Sequence, residues 1–182
     1  MKLRSCVMFG SFGIAAFLFA GNAYSAEPAP DTAEVLGKLH HSNQMEVEAG
    51  KLAQDKGQSK EVKAYGKTLV NDHSAADKKV MALAREEKVQ LPASAPMPPD
   101  KMDKMKSASG ADFDKKFVAD MLEDHQKDVA EAKAARDKTS DTKLKSLLTA
   151  TIPVLEKHRD TAQKLVDKLG PSASASGANV PK

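Results

Sequence analysis

The chain is poor in the residues that staple or stiffen small proteins. Of its 182 residues only one is cysteine, none is tryptophan, and aromatics make up 4%. Cys6 lies in the first few residues. Without it the remaining chain can form no disulfide, no cysteine-based zinc site and no thiol nucleophile. Scarce aromatics argue against a large β-sandwich or barrel, which lean on aromatic and β-branched side chains. Charge of one sign is also lacking. The formal net charge is +3, and removing Lys2 and Arg4 leaves +1, with acidic and basic residues interspersed. That is no electrostatic footprint for nucleic acid. There is no Gly-rich phosphate loop, nucleophile elbow or His-Glu-x-x-His pattern, so nothing points to a kinase or hydrolase.

What remains is rich in Ala, Lys, Asp, Glu and Leu, a composition suited to long helices. The first 25 residues read as a signal peptide: basic Lys2 and Arg4, an apolar run from Val7 to Ala20, then small residues through Ser25 and Ala26. The run is about 14 residues, shorter than the roughly 20 a spanning helix needs. Retained, it would be a short N-terminal anchor. Cleaved after Ser25, it leaves an exported protein with no transmembrane segment, periplasmic or associated with the outer membrane. Residues 26–31 form a leader. Residues 170–182, starting Gly170-Pro171 and continuing in Ser and Ala, read as a disordered tail.

The domain between, residues 32–169, reads as all-α. Four helices are expected at about 32–56, 60–88, 110–138 and 142–169. Asp31 with Glu34 resembles a capping box, Ser59 is a second N-cap, and Gly57 and Gly170 are stops. Pro153 should kink the last helix. The 1–2 and 3–4 loops are short, so each pair is an antiparallel hairpin. Residues 89–109 carry Pro92, Pro96, Pro98 and Pro99 and form the long connection. Two hairpins joined by one long crossover is the ferritin-like arrangement of a four-helix bundle. An up-down-up-down bundle with an elaborate loop is the alternative.

Each apolar stripe is interrupted by a polar residue. The last helix runs Leu144, Leu148, Thr151, Leu155, His158, Ala162, Leu165, Leu169, an a/d seam holding one histidine. The second holds Asp72 and His73 between Leu69 and Ala76, and the third holds Asp124, His125 and Asp128 between Met121 and Val129. The first places Asn43 and Glu46 among Leu36, Leu39, Val47 and Ala53, while Glu48 turns away with His41 and Lys51. Counted from the loops, the heights within each hairpin differ by about 3–5 residues, roughly 5–8 Å of rise. Glu46, His73, His125 and His158 can therefore form one belt. Buried charge is costly unless paired or metal-bound. Three imidazoles and a carboxylate suit Zn, Fe or Cu. Asp72, Asp77, Asp124 and Asp128 are near enough to be further ligands, or to accept hydrogen bonds that orient the rings. The other reading of the same residues is a hydrogen-bonded polar layer that sets helix register.

Lesser features have blander readings. Met97, Met102 and Met105 are thioethers that could take Cu(I), or simple packing of the connection onto the bundle. His40 is expected at the rim. The lysines around 101–106 are expected on a solvated face. The di-iron signature Glu-x-x-His is missing: the residue three before each histidine is Val70, Leu122 or Leu155.

The segments Asn43-Gln-Met-Glu-Val-Glu-Ala-Gly-Lys-Leu-Ala53, Val62-Lys-Ala-Tyr-Gly-Lys-Thr-Leu-Val-Asn-Asp-His73, Phe113-Asp, Asp124-His125 and Thr151-Ile-Pro-Val-Leu-Glu-Lys-His158 together resemble an exported bacterial family of unknown function. Its members often carry the label "predicted outer membrane protein". The resemblance spans residues 33–169 and implies a ferritin-like bundle and export. It implies no activity. Taken together, the expected function is an exported bundle binding a transition metal at its mid-bundle Glu/His site, for buffering or sensing. The alternatives are a metal-free structural or stress-related bundle, and a metal-dependent oxidase or peroxide-handling enzyme. The partner is expected to be a second copy of the chain or an envelope protein.

Overall fold

The computed structural model describes residues 30–93 and 97–170. The signal segment 1–25 with Cys6, most of the leader, Pro96 and the tail beyond Gly170 lie outside the described residues. Five helices are described: α1 (Pro30–Lys56), α2 (Lys60–Glu86), α3 (Pro99–Ser107), α4 (Gly110–Lys138) and α5 (Thr142–Leu169). None is long and apolar enough to cross a membrane.

Local chemistry sets most helix ends. Ser59 caps α2, its hydroxyl accepting from Val62 N at 3.0 Å. Asp141 caps α5, accepting from Lys143 N and Leu144 N. These side chains satisfy amides that an α-helix leaves without intrahelical acceptors. Asp114, buried on α4, accepts from the backbone amides of Gln58 and Ser59 at 2.8 and 2.7 Å. It ties the α1–α2 turn to α4. Two ends and one added helix differ from the sequence reading. α1 starts at Pro30 rather than Thr32, because proline is tolerated in a first turn. α2 stops at Glu86, and Lys88 takes φ +56, a left-handed conformation that ends the helix. α3 arises inside the connection, started by Pro99 at its first position. α5 runs through Pro153, which sits on the exposed face. The backbone acceptor that Pro153 leaves unbonded belongs to exposed Thr149, so water can serve it.

The bundle is two antiparallel hairpins, α1–α2 and α4–α5, with α2 facing α5 and α1 facing α4. Gly57 bridges Gly110 in parallel sense, and Lys168 pairs with Glu61 at 2.6 Å, so α4 begins and α5 ends beside the α1–α2 turn. At the other end Thr32 donates to Asp141 at 3.1 Å and Lys143 pairs with Glu86 and Glu87. Residues 87–109 must therefore travel the length of the bundle. This is the up-down-down-up order of ferritin-like folds. The connection lies along α1: Pro92 covers Gly37, Met97 N donates to Glu48 Oε2 at 3.0 Å, and the Lys56 ammonium reaches Lys106 O.

The core falls into two apolar clusters. One, at the α1–α2 turn, contains Ala53, Leu69, Phe113, Phe117, Met121 and Leu165; Met97 and Met105 are buried in it and Met102 packs against it. The other contains Leu36, Val80, Val129, Leu144, Ile152 and Leu155. Ile152, not Thr151, takes the buried place on α5. A strict 4-3 seam drifts by about 20° per heptad on a straight helix, which brings the neighbouring residue inward.

The α1–α2 hairpin closes on glycine. A Cβ on Gly66 would lie 2.7 Å from Gly50 O and 2.8 Å from Ala53 Cβ, and one on Gly50 would lie 2.6 Å from Gly66 O. A backbone oxygen cannot rotate away. Alanine is normally the better helix residue by about 1 kcal/mol, yet Gly66→Ala should destabilise by about 1–3 kcal/mol through overpacking. Urea unfolding checks the sign: a lower midpoint at unchanged slope is expected, and a raised midpoint would refute the close approach.

Candidate metal centre

Between the two apolar clusters lies a polar layer. On α2 it is His73, between Leu69 and Val80; on α4 His125, between Met121 and Val129; on α5 His158, between Leu155 and Ala162. α1 contributes Asn43 and Glu46, both buried. The three histidines are 3%, 0% and 1% exposed. Their ring centroids lie 5.6 Å apart for His73 and His125, 5.1 Å for His73 and His158, and 5.2 Å for His125 and His158. One ligating atom from each falls within 4.8 Å of the others.

Each ring spends one nitrogen on an outer partner. His73 Nδ1 meets Asn43 Oδ1 at 2.9 Å, His125 Nδ1 meets Met121 O at 2.8 Å, and His158 Nε2 meets Asp72 Oδ2 at 2.9 Å. A carbonyl and a carboxylate can only accept, so these ring nitrogens carry the protons. The opposite nitrogens, His73 Nε2, His125 Nε2 and His158 Nδ1, are buried and have no hydrogen-bond partner among the described residues. They are lone-pair donors. Unmet buried polar atoms are rare because each costs about 1–3 kcal/mol. Three in one layer is the pattern expected of a ligand set. A layer serving only to set register would be expected to bond its rings to one another.

The electrostatics agree. Burial holds His73 well below the ordinary imidazole range, with the neighbouring His125 and His158 lowering it further. Burial pushes His125 down to about 4, opposed by its bond to the Met121 carbonyl. His158 is also lowered by burial, with Asp72 pulling it back up. All three rings are therefore neutral at pH 7, the form that binds a metal. The Tyr65 hydroxyl donates to His158 O at 3.1 Å and braces α5 against α2.

The carboxylates go to different places. Glu46 is buried beside His125, its Oε1 3.7 Å from Nδ1. That is the outward nitrogen, and Glu46 stands outside the convergent group of three. Asp72 orients His158. Asp77 bonds His40 Nδ1 at 2.7 Å instead of a layer ring. Asp128 accepts from Ser42 Oγ at 2.7 Å, and burial raises its pKa. Asp124 acts on His125 through its charge. His40 is buried rather than at the rim, held between Asp77 and Gln44; two local partners remove the cost of burying it. Asn43, no ligand by residue type, is nonetheless a site residue, since its amide oxygen anchors His73. Its signal was its position three residues before Glu46, on the same helix face.

A family model described as a domain of unknown function, DUF4142, matches residues 19–165. No curated protein matches the chain. A solved structure described as CopM in the Cu(I)-bound form is similar with TM-score 0.65 and 17% identity, over 75% of this chain and 96% of that one. At that identity the likeness speaks for the fold. With most of its length matched by the family model, the chain belongs to the DUF4142 family, a family of unknown function.

Proposed function

We propose that this protein binds one transition metal ion through His73 Nε2, His125 Nε2 and His158 Nδ1, with Glu46 supplying negative charge beside the rings. The observation that carries the reading is three buried histidines with one ring nitrogen of each within 4.8 Å of the others, each ring having one buried nitrogen unpartnered and the other anchored. Three neutral nitrogen donors suit Cu(I) and Zn(II). The Cu(I)-bound state of the structurally similar CopM supports copper as the first ion to test. The thioethers Met97 and Met105 are read as core packing, since both lie in an apolar cluster. The rings are sealed from solvent, which favours holding an ion over turning over a substrate. The role is buffering or sensing of that ion outside the cytoplasm, which rests on the signal-like residues 1–25.

Metal content decides it. Protein purified without an affinity tag is examined by mass spectrometry beside His158→Ala. Near-stoichiometric metal in the wild type and its loss in the variant are expected. Wild-type protein that neither contains metal nor takes up Cu(I) or Zn(II) would sink the reading.

A further inference from the structure

Resting on that reading, we propose that Asp72 is a positioning residue that dictates which nitrogen of His158 faces the metal. The three rings do not present the same atom. His73 and His125 are anchored through Nδ1 and offer Nε2, whereas His158 is anchored through Nε2 and offers Nδ1. Free imidazole exchanges its proton between the two nitrogens, so each ring needs a partner that decides. For His125 the partner is the Met121 carbonyl, one turn earlier on its own helix, and no side chain is needed. For His158 the deciding group comes from another helix. Asp72 reaches across the α2–α5 seam from the position just before His73. One turn of α2 thus supplies both a donor and the group that orients a second donor.

Asp72 also differs from the other anchors in chemistry and setting. It is a carboxylate, and its side chain is 39% exposed, against a buried amide at Asn43 and a buried main-chain carbonyl at Met121. A carboxylate behind an imidazole makes the far nitrogen a stronger donor and fixes the ring's orientation. Replacing it by an amide can reverse the tautomer, because the amide NH2 donates to the nitrogen that formerly carried the proton. His158 Nδ1 would then hold a proton aimed into the cluster and could not bind metal. Because Asp72 is half-exposed, Asp72→Asn is expected to fold.

Two readouts on the full chain test this. In metal-free, 15N-labelled protein near pH 7.5, long-range 1H–15N spectra report which nitrogen of each ring is protonated. Wild type is expected to show His158 protonated on Nε2 and His73 and His125 on Nδ1. Asp72→Asn should move the His158 proton to Nδ1, wholly or in part, and leave the other two rings unchanged. Competition with a chromophoric chelator for Zn(II) and for Cu(I) should show about 10- to 100-fold weaker binding. A wild-type His158 protonated on Nδ1 overturns the proposal. So does a tautomer that stays unchanged in both Asp72→Asn and Asp72→Leu, whatever happens to affinity, since an amide can still accept through its oxygen, as Asn43 does for His73, whereas leucine cannot. So does a reversed tautomer with unchanged affinity. If wild type takes up neither ion, the metal reading fails; the metal-free spectra still decide whether Asp72 sets the tautomer.

Discussion

His125→Leu should yield a metal-free protein more stable than the wild type by about 1–3 kcal/mol, and one that no longer takes up metal. The side chain is 0% exposed, and its Nε2 is buried without a hydrogen-bond partner. Leucine of similar size removes that cost and extends the apolar clusters on either side. The other nitrogen gives up its hydrogen bond to Met121 O and its 3.7 Å contact with Glu46 Oε1, which is longer than a hydrogen bond. Its acceptor, Met121 O, lies one turn earlier and already serves the i→i+4 helical bond. The sign reverses on metal loading. Wild type should gain about 2.7 kcal/mol when free metal is 100 times its dissociation constant, while His125→Leu should gain nothing. Thermal unfolding with and without Cu(I) or Zn(II) measures both. A less stable metal-free His125→Leu would mean that the layer is satisfied as it stands, and the case for a ligand set would lapse.

Acid should unfold the metal-free protein earlier than its carboxylates alone would. The three layer histidines are held neutral by burial, with His125 down to about 4 against an ordinary value near 6.5. Between those values the unfolded chain binds protons that the folded protein refuses. Their contribution to stability is fully present above pH 6.5. It is lost as pH falls from 6.5 towards 4, at up to about 1.4 kcal/mol per pH unit for each ring. For His125 alone the total is about 3 kcal/mol. Asp128 works the other way: burial raises its pKa, so its protonation favours the folded state as pH falls. Asp128 therefore offsets part of the loss from the three rings. Urea midpoints between pH 7.5 and 4.5 should fall steeply for wild type, and His125→Leu should show a shallower slope. Parallel slopes would assign the acid sensitivity elsewhere. Bound metal competes with the same protons, so loading should shift the loss to lower pH.

The histidines were legible because each breaks an apolar stripe at helical spacing, and a stripe is a property of one helix. His73, His125 and His158 also lie at similar distances from short loops, so their common height could be counted. The carboxylates were not legible in that way. Asp72, Asp77, Asp124 and Asp128 all lie within about one turn of a histidine. Choosing among them needs the rotation of each helix, which determines that Asp72 meets His158 while Asp77 meets His40. Helix α3 inside the connection was not legible for a related reason. Four prolines argue for irregular chain, yet Pro99 sits where proline can begin a helix, and α3 follows with Met102 and Met105 turned towards the core.

By itself the sequence determined the all-α class, the two hairpins, the long connection between them and the polar interruption of the core, while the contacts at the two bundle ends decided that this connection is a crossover. The first four depend on short-range periodicity, capping and loop length. Only the tertiary structure decided which nitrogen of each ring faces inward and which oxygen holds the other. That choice is made by partners on neighbouring helices, at hydrogen-bond distances that a small rotation of either helix would break.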